Sequence, residues 1–145
     1  MSLQNLVGVS LETIAPSRQT TRRLIAAAAR HIADAKVSSI SAETRFSSAY
    51  TAIRMLADLG LHAHGYRTLT SKPGHHQTAI QSLPLTLSVD RTVVVRLDAL
   101  RKQRNLTEYS GDTIPEATVA ECVAQADALC VIANEWLKSN RPDLI

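Results

Sequence analysis

Hydrophobic positions along the chain recur mostly at steps of three and four, the period of a helix with one buried face. The longest such run, Val119, Cys122, Ala126, Leu129, Ala133 and Trp136, predicts a long C-terminal helix. The stretch "TIPE" marks its start, with Thr113 as N-cap, Pro115 in the first turn and Glu116 completing a capping box. Lys138 suits its C-terminal dipole, and Pro142 prevents continuation. A second long helix follows Ser41, with Phe46, Ala49, Ile53, Leu56, Gly60 and Ala63 on one face and Glu43 in its first turn. Small residues at 49, 60 and 63 let a neighbouring helix approach closely. Before it, a helix over about 18–36 places Ile25, Ala28, Ile32 and Ala35 on one side and leaves Arg18, Arg22, Arg23 and Arg30 outside that stripe.

The remaining segments are shorter or less regular. The first fifteen residues predict at most a weak helix, because Gly8 interrupts Leu3, Val7, Leu11 and Ile14. "SKPGHHQTAIQSLPL" predicts a proline-glycine loop and a short helix that Pro84 stops. A further helix starts near Ser88, with Asp90 in its first turn. Its triple valine suits a strand, but Val93, Leu97 and Leu100 form a helical stripe. No repeat, low-complexity tract or linker divides the chain. The expectation is one all-α domain over 1–145, an up-and-down helical bundle of four main helices plus short ones.

Composition narrows the class. The 145 residues are 45% hydrophobic and 20% charged, with five glycines and five prolines, which favours helices over many-turned β structure. The longest apolar run, "LIAAAA", falls far short of the roughly 20 residues that span a bilayer. With no secretory leader pattern, a cytoplasmic location without membrane contact is expected. Cys122 and Cys130 lie eight apart on one predicted helix, about 12 Å at 1.5 Å per residue, too far for a disulfide's limit of about 7 Å. The five histidines show no metal-binding spacing, so no metal or cofactor is expected. The net charge is +3 but unevenly spread. Residues 15–107 hold 14 Lys/Arg against 5 Asp/Glu, and residues 108–145 hold 2 against 7. Such asymmetry marks either a polyanion-binding face or helices that neutralise one another.

The stretch "RKQRNLTEYSG" raises the sharpest question. Extending the stripe Val93, Leu97, Leu100 by four residues lands on Arg104, so a guanidinium is aimed along a packed face, where an unpaired charge is costly. It needs an anionic ligand, an interface or a solvent-filled groove, unless Glu108 one turn on pairs locally with Arg104 and Arg101.

The order "SAETRFSSAYTAIRMLADLGLHAHGY", "GHHQTAIQSL" and "RKQRNLTEY" before a last long helix resembles HEPN-domain proteins over about residues 18–138. The resemblance implies a helical bundle that forms homodimers. It also implies a metal-independent ribonuclease, often a toxin whose partner is a small nucleotidyltransferase, or else a non-catalytic module binding a nucleotide, RNA or protein. The family motif is an arginine, a polar residue and a histidine four to six residues after the arginine. Arg104 and Asn105 match its first two positions, and Tyr109 stands at the histidine position. The resemblance thus makes Arg104, Asn105 and Tyr109 the candidate catalytic residues, with Arg101, Arg54, His75 and His76 as candidate phosphate or nucleic-acid contacts. A phenol with pKa near 10 is a poor base at pH 7, whereas imidazole can take a 2′-OH proton. His75 or His76 is the substitute base considered, one at most facing the groove, with His75 or Gln77 alternatively capping the short helix. Tyr50 and Arg54 at i and i+4 match the family's second helix, or form a cation–π pair on one face. His62 and His64 are expected to be partly exposed at the helix end, and His31 to be structural.

Overall fold

Local capping decides where three of the long helices begin. In the computed structural model, which describes residues 2–145, Ser17 Oγ accepts the Thr20 amide at 3.1 Å and starts α1 (Arg18–Ala35). Ser41 Oγ accepts the Thr44 amide at 3.2 Å and starts α2 (Ala42–Ala63). Two short helices follow, α3 (His75–Gln81) and α4 (Leu83–Thr86). Asp90 is the N-cap of α5 (Arg91–Ser110) rather than part of its first turn, and it accepts the Thr92 amide at 2.8 Å. Helix α6 (Glu116–Asn140) ends just before Pro142.

The predicted capping box at Thr113 does not form. Pro115, in an extended conformation, is the N-cap of α6, and Thr113 accepts no amide. The Glu116 carboxylate instead meets Arg45 of α2 at 3.0 Å. Pro84 does not simply stop a helix; it sits in the first turn of α4, where its missing N–H costs nothing.

Two strands were not legible in the sequence. β1 (Leu11–Thr13) pairs antiparallel with β2 (Tyr66–Thr68), with Leu11 opposite Thr68 and Thr13 opposite Tyr66. The second helix ends at Ala63, the last position of its predicted stripe. Gly65, at φ +89°, turns the chain back towards β1. The N-terminal segment is a short 3₁₀ turn (Gln4–Leu6) and this strand, not a weak helix.

The all-α class holds apart from that small sheet. α2 is the central element, packed between α1 and α6, with α3, α4 and α5 against its remaining faces. Phe46, Ala49, Ile53 and Leu56 are buried, and from Leu59 to Ala63 every residue is. Val119, Cys122, Ala126, Leu129 and Ala133 of α6 pack inward as the periodicity predicts, but the seam ends on Leu137 and not Trp136. The indole is half-buried against the His64 ring, 5.1 Å between centroids. Gly60 is where close approach matters, because a Cβ there would lie 2.6 Å from Thr86 Oγ1 of α4. The element admitted by this small residue is a four-residue helix rather than a long one.

α5 rests on α3 and α2 and makes no extensive contact with α6. Its inner side buries Leu97 and Leu100, while Val95, Leu106 and Tyr109 are exposed on its outer side. Among the described residues, no helix is long and apolar enough to cross a membrane.

Candidate functional site

The site begins with Tyr50, a ring 1% exposed on a helix of alanines and leucines. Its hydroxyl is buried with no hydrogen-bond partner among the described residues. The inward-facing Arg104 lays its guanidinium over this ring, 5.4 Å from the centroid. Arg104 is thus the cation–π partner of Tyr50, in place of the predicted Arg54. The predicted local pair with Glu108 also exists, at 3.6 Å, with the carboxylate largely in water, so it screens the guanidinium only weakly. Arg101 does not share Glu108. Its Nε donates to Asp98 Oδ1 at 2.8 Å, one turn back.

α3 supplies the opposite wall. Gly74, at φ +78°, is its N-cap and provides no side-chain acceptor; neither His75 nor Gln77 caps the helix. Both His75 and His76 line the groove, contrary to the expectation that one at most would do so. They stand edge to face at 4.4 Å, and His76 lies 6.2 Å from the Tyr50 ring. The groove holds about 340 Å³ and is bounded by both histidines, Arg101, Arg104, Asn105, Glu108 and Tyr109.

Electrostatics give these groups distinct states. Burial lowers the His76 pKa to about 4, helped by His75, Arg54, Arg104 and Arg101, so its imidazole is neutral at pH 7. Burial pushes the Tyr50 phenol up to about 12, although Arg104, Arg101 and Arg54 all oppose the shift. Arg54 is half-buried and makes no hydrogen bond or ion pair among the described residues. Its charge acts on His76 in the groove wall.

The three positions that the resemblance singled out do not point the same way. Five residues on a helix rotate a side chain by about 140°, so Tyr109 turns away from Arg104 and is 89% exposed at the groove's rim. The imidazole on the Arg104 side is His76. Asn105 is half-buried between the two directions. His62 is not at the surface either. It is buried, its Nε2 accepts the Ser17 amide at 3.0 Å, and burial lowers its pKa. His64 Nε2 lies 2.8 Å from the Thr86 carbonyl. Both cysteines are free thiols, with Cys122 buried and pushed up to about 12.

The charge asymmetry resolves into two parts. Lys36–Asp127 at 3.0 Å and Arg45–Glu116 tie the basic helices to acidic α6. Arg54 and Arg104 do not take part in that neutralisation. Sequence reasoning missed Asp58, a half-buried carboxylate with no hydrogen bond or ion pair among the described residues. The available signal was Tyr50, Arg54, Asp58 and His62, polar residues at four-residue steps along an otherwise apolar helix. Comparison with known proteins found no matching family model, no matching curated protein and no matching solved structure.

Proposed function

We propose that the groove between α3 and α5 binds a phosphate of RNA or of a nucleotide, in a protein of HEPN-like design. The observation that carries this reading is the Arg104 guanidinium, laid over the Tyr50 ring, in one groove with the neutral His76, on which the charge of Arg54 also acts. Arg104 is paired only with a solvent-exposed carboxylate and Arg54 makes no ion pair among the described residues, an arrangement that favours an anion. Single-stranded RNA binding, followed by fluorescence anisotropy, should weaken about tenfold in Arg104→Ala and stay within twofold in Arg91→Ala, at the far end of α5. The slope of log affinity against log salt should fall by about 0.7 for the lost phosphate contact. Salt-insensitive binding would argue for a protein ligand instead.

A second reading, metal-independent RNA cleavage, is favoured by the protonation state of His76. A neutral imidazole can accept the 2′-OH proton as that oxygen attacks phosphorus, Arg104 can stabilise the pentavalent phosphate, and the P–O5′ bond then breaks to leave a 2′,3′-cyclic phosphate while water protonates the departing 5′-oxygen. The negative charge of a bound phosphodiester raises the low pKa of His76 and strengthens it as a base. Chelator-resistant cleavage lost in His76→Ala but retained in Tyr109→Phe would support this reading. Cleavage lost in Tyr109→Phe would transfer the role to the phenol, and no cleavage in the wild type would leave a binding module.

The HEPN resemblance extends the proposal to a homodimer and to a toxin-type partnership with a small nucleotidyltransferase. Val95, Leu106 and Tyr109 lie on one exposed face of α5, an apolar stripe that a second copy could cover. Light scattering at micromolar concentration should give twice the monomer mass; 15.8 kDa alone would remove the dimer.

A further inference from the structure

A second cleft lies on the same face of α2. It holds about 430 Å³ between α1, α2 and β2, bounded by aliphatic Ile14 and Leu24, the Tyr66 ring, the Thr20 and Thr68 side chains, and Asp58. The Tyr66 ring is fixed in place by its hydroxyl, which donates to Gln4 Oε1 at 3.0 Å. Arg23 and Arg67 stand at the mouth, Arg67 paired with Glu12. Among the described residues Asp58 forms no ion pair within 4 Å, not even with Arg54 one turn before it. A half-buried carboxylate in an apolar-walled cleft that pairs with nothing among the described residues costs stability, and a ligand with hydrogen-bond donors would offset that cost.

We propose that this cleft is a nucleobase pocket and that Asp58 selects guanine, its two oxygens accepting from the N1–H and the exocyclic amino group. The geometry supports the assignment in two ways. The cleft is lined by the Tyr66 ring and by aliphatic Ile14 and Leu24, the kind of wall on which a flat base stacks. Asp58 also follows Arg54 by four residues and Tyr50 by eight, about 6 and 12 Å along the helix axis, so a nucleotide with its phosphate at Arg54 and Arg104 has its base directed towards Asp58. His75 lies near enough for its charge to act on the Asp58 carboxyl, which brings the two clefts close. Adenine presents a lone pair at N1 where guanine presents a donor, so it sets acceptor against carboxylate and leaves one donor only.

The inference deepens the phosphate reading and uses it to orient the ligand, yet it can fail separately. Calorimetry at pH 7.5 with guanosine 5′-monophosphate, adenosine 5′-monophosphate, guanosine and inorganic phosphate separates the two. The guanine nucleotide should bind at least tenfold tighter than the adenine nucleotide, and Asp58→Asn should reduce that ratio to threefold or less without changing phosphate affinity. Arg104→Ala should weaken both nucleotides and preserve the ratio. Equal affinities in the wild type, or a ratio that survives Asp58→Asn, would overturn the pocket and leave the phosphate site standing. Guanosine binding that depends on Asp58 without phosphate binding would sustain the pocket and overturn the phosphate reading. No binding of guanosine or of either nucleotide would overturn the pocket outright. A guanine-containing RNA octamer that binds tenfold tighter than the mononucleotide identifies RNA as the source of the base; the reverse identifies the free nucleotide.

Discussion

Leu129→Ala should lower the unfolding free energy by about 2–5 kcal/mol, the cost of lost burial plus the cavity left behind. Leu129 is 1% exposed and sits mid-way along α6 on the seam facing α2, where neither helix can close the gap without moving the other. Domains of this kind have only about 5–15 kcal/mol in total, so the variant stands near the edge of folding. Urea titration should show a lower midpoint with an unchanged slope. Val131→Ala, two residues on and 57% exposed, should change stability by no more than about 0.5 kcal/mol. Equal losses at 129 and 131 would mean that the seam is misplaced.

The second large effect depends on pH. Burial raises the Asp58 pKa from 3.8 to about 6, against the opposing charges of Arg54 and His75. A carboxyl raised in the folded state stabilises below its unfolded pKa, and that contribution is lost as pH rises through about 6. Asp58→Asn, which carries no charge, should therefore be more stable than the wild type at pH 8, by about 2 kcal/mol, and the gain should vanish near pH 4. His76 works in the opposite sense. Its folded pKa is lowered from 6.5 to about 4, so its contribution is present above 6.5 and is lost as pH falls through 4. Between pH 4 and 6 the two slopes oppose each other in the wild type. Asp58→Asn should expose an acid-labile profile there, and His76→Gln an acid-stabilised one. Thermal unfolding across pH 4–8 measures both. An Asp58→Asn protein no more stable than the wild type at pH 8 would show that the carboxylate has a partner in solution.

The helices were legible because their signals are local and repeated. Ser17 and Ser41 cap where the apolar stripes begin, and four to six positions vote for the faces of α1, α2 and α6. The strands had no such redundancy. Three residues of β1 show only that Leu11 is apolar between polar neighbours, and their partner lies more than fifty residues away. Trp136 and Leu137 are adjacent apolar residues, and which of them faces inward depends on the fit against the His64 ring. The groove followed the same division. Arg104 was visible because it extends a stripe, whereas pairing His76 with it required knowing that α3 packs on α5. Asp58 needed the opposite habit of reading, attending to the polar positions of an apolar helix.

The contact between Gly60 and Thr86 sets a rule for sequence drift. With Thr86 Oγ1 only 2.6 Å from where a Cβ at position 60 would sit, and that hydroxyl buried without a hydrogen bond, neither position can grow alone. A descendant that acquires alanine at 60 has to give up bulk at 86, by a change such as threonine to glycine or alanine that removes the hydroxyl, or else shift α4 away from α2. The two sites are therefore bound to change together, and such paired changes in diverged copies would trace this packing even where the α3–α5 groove had lost its charges.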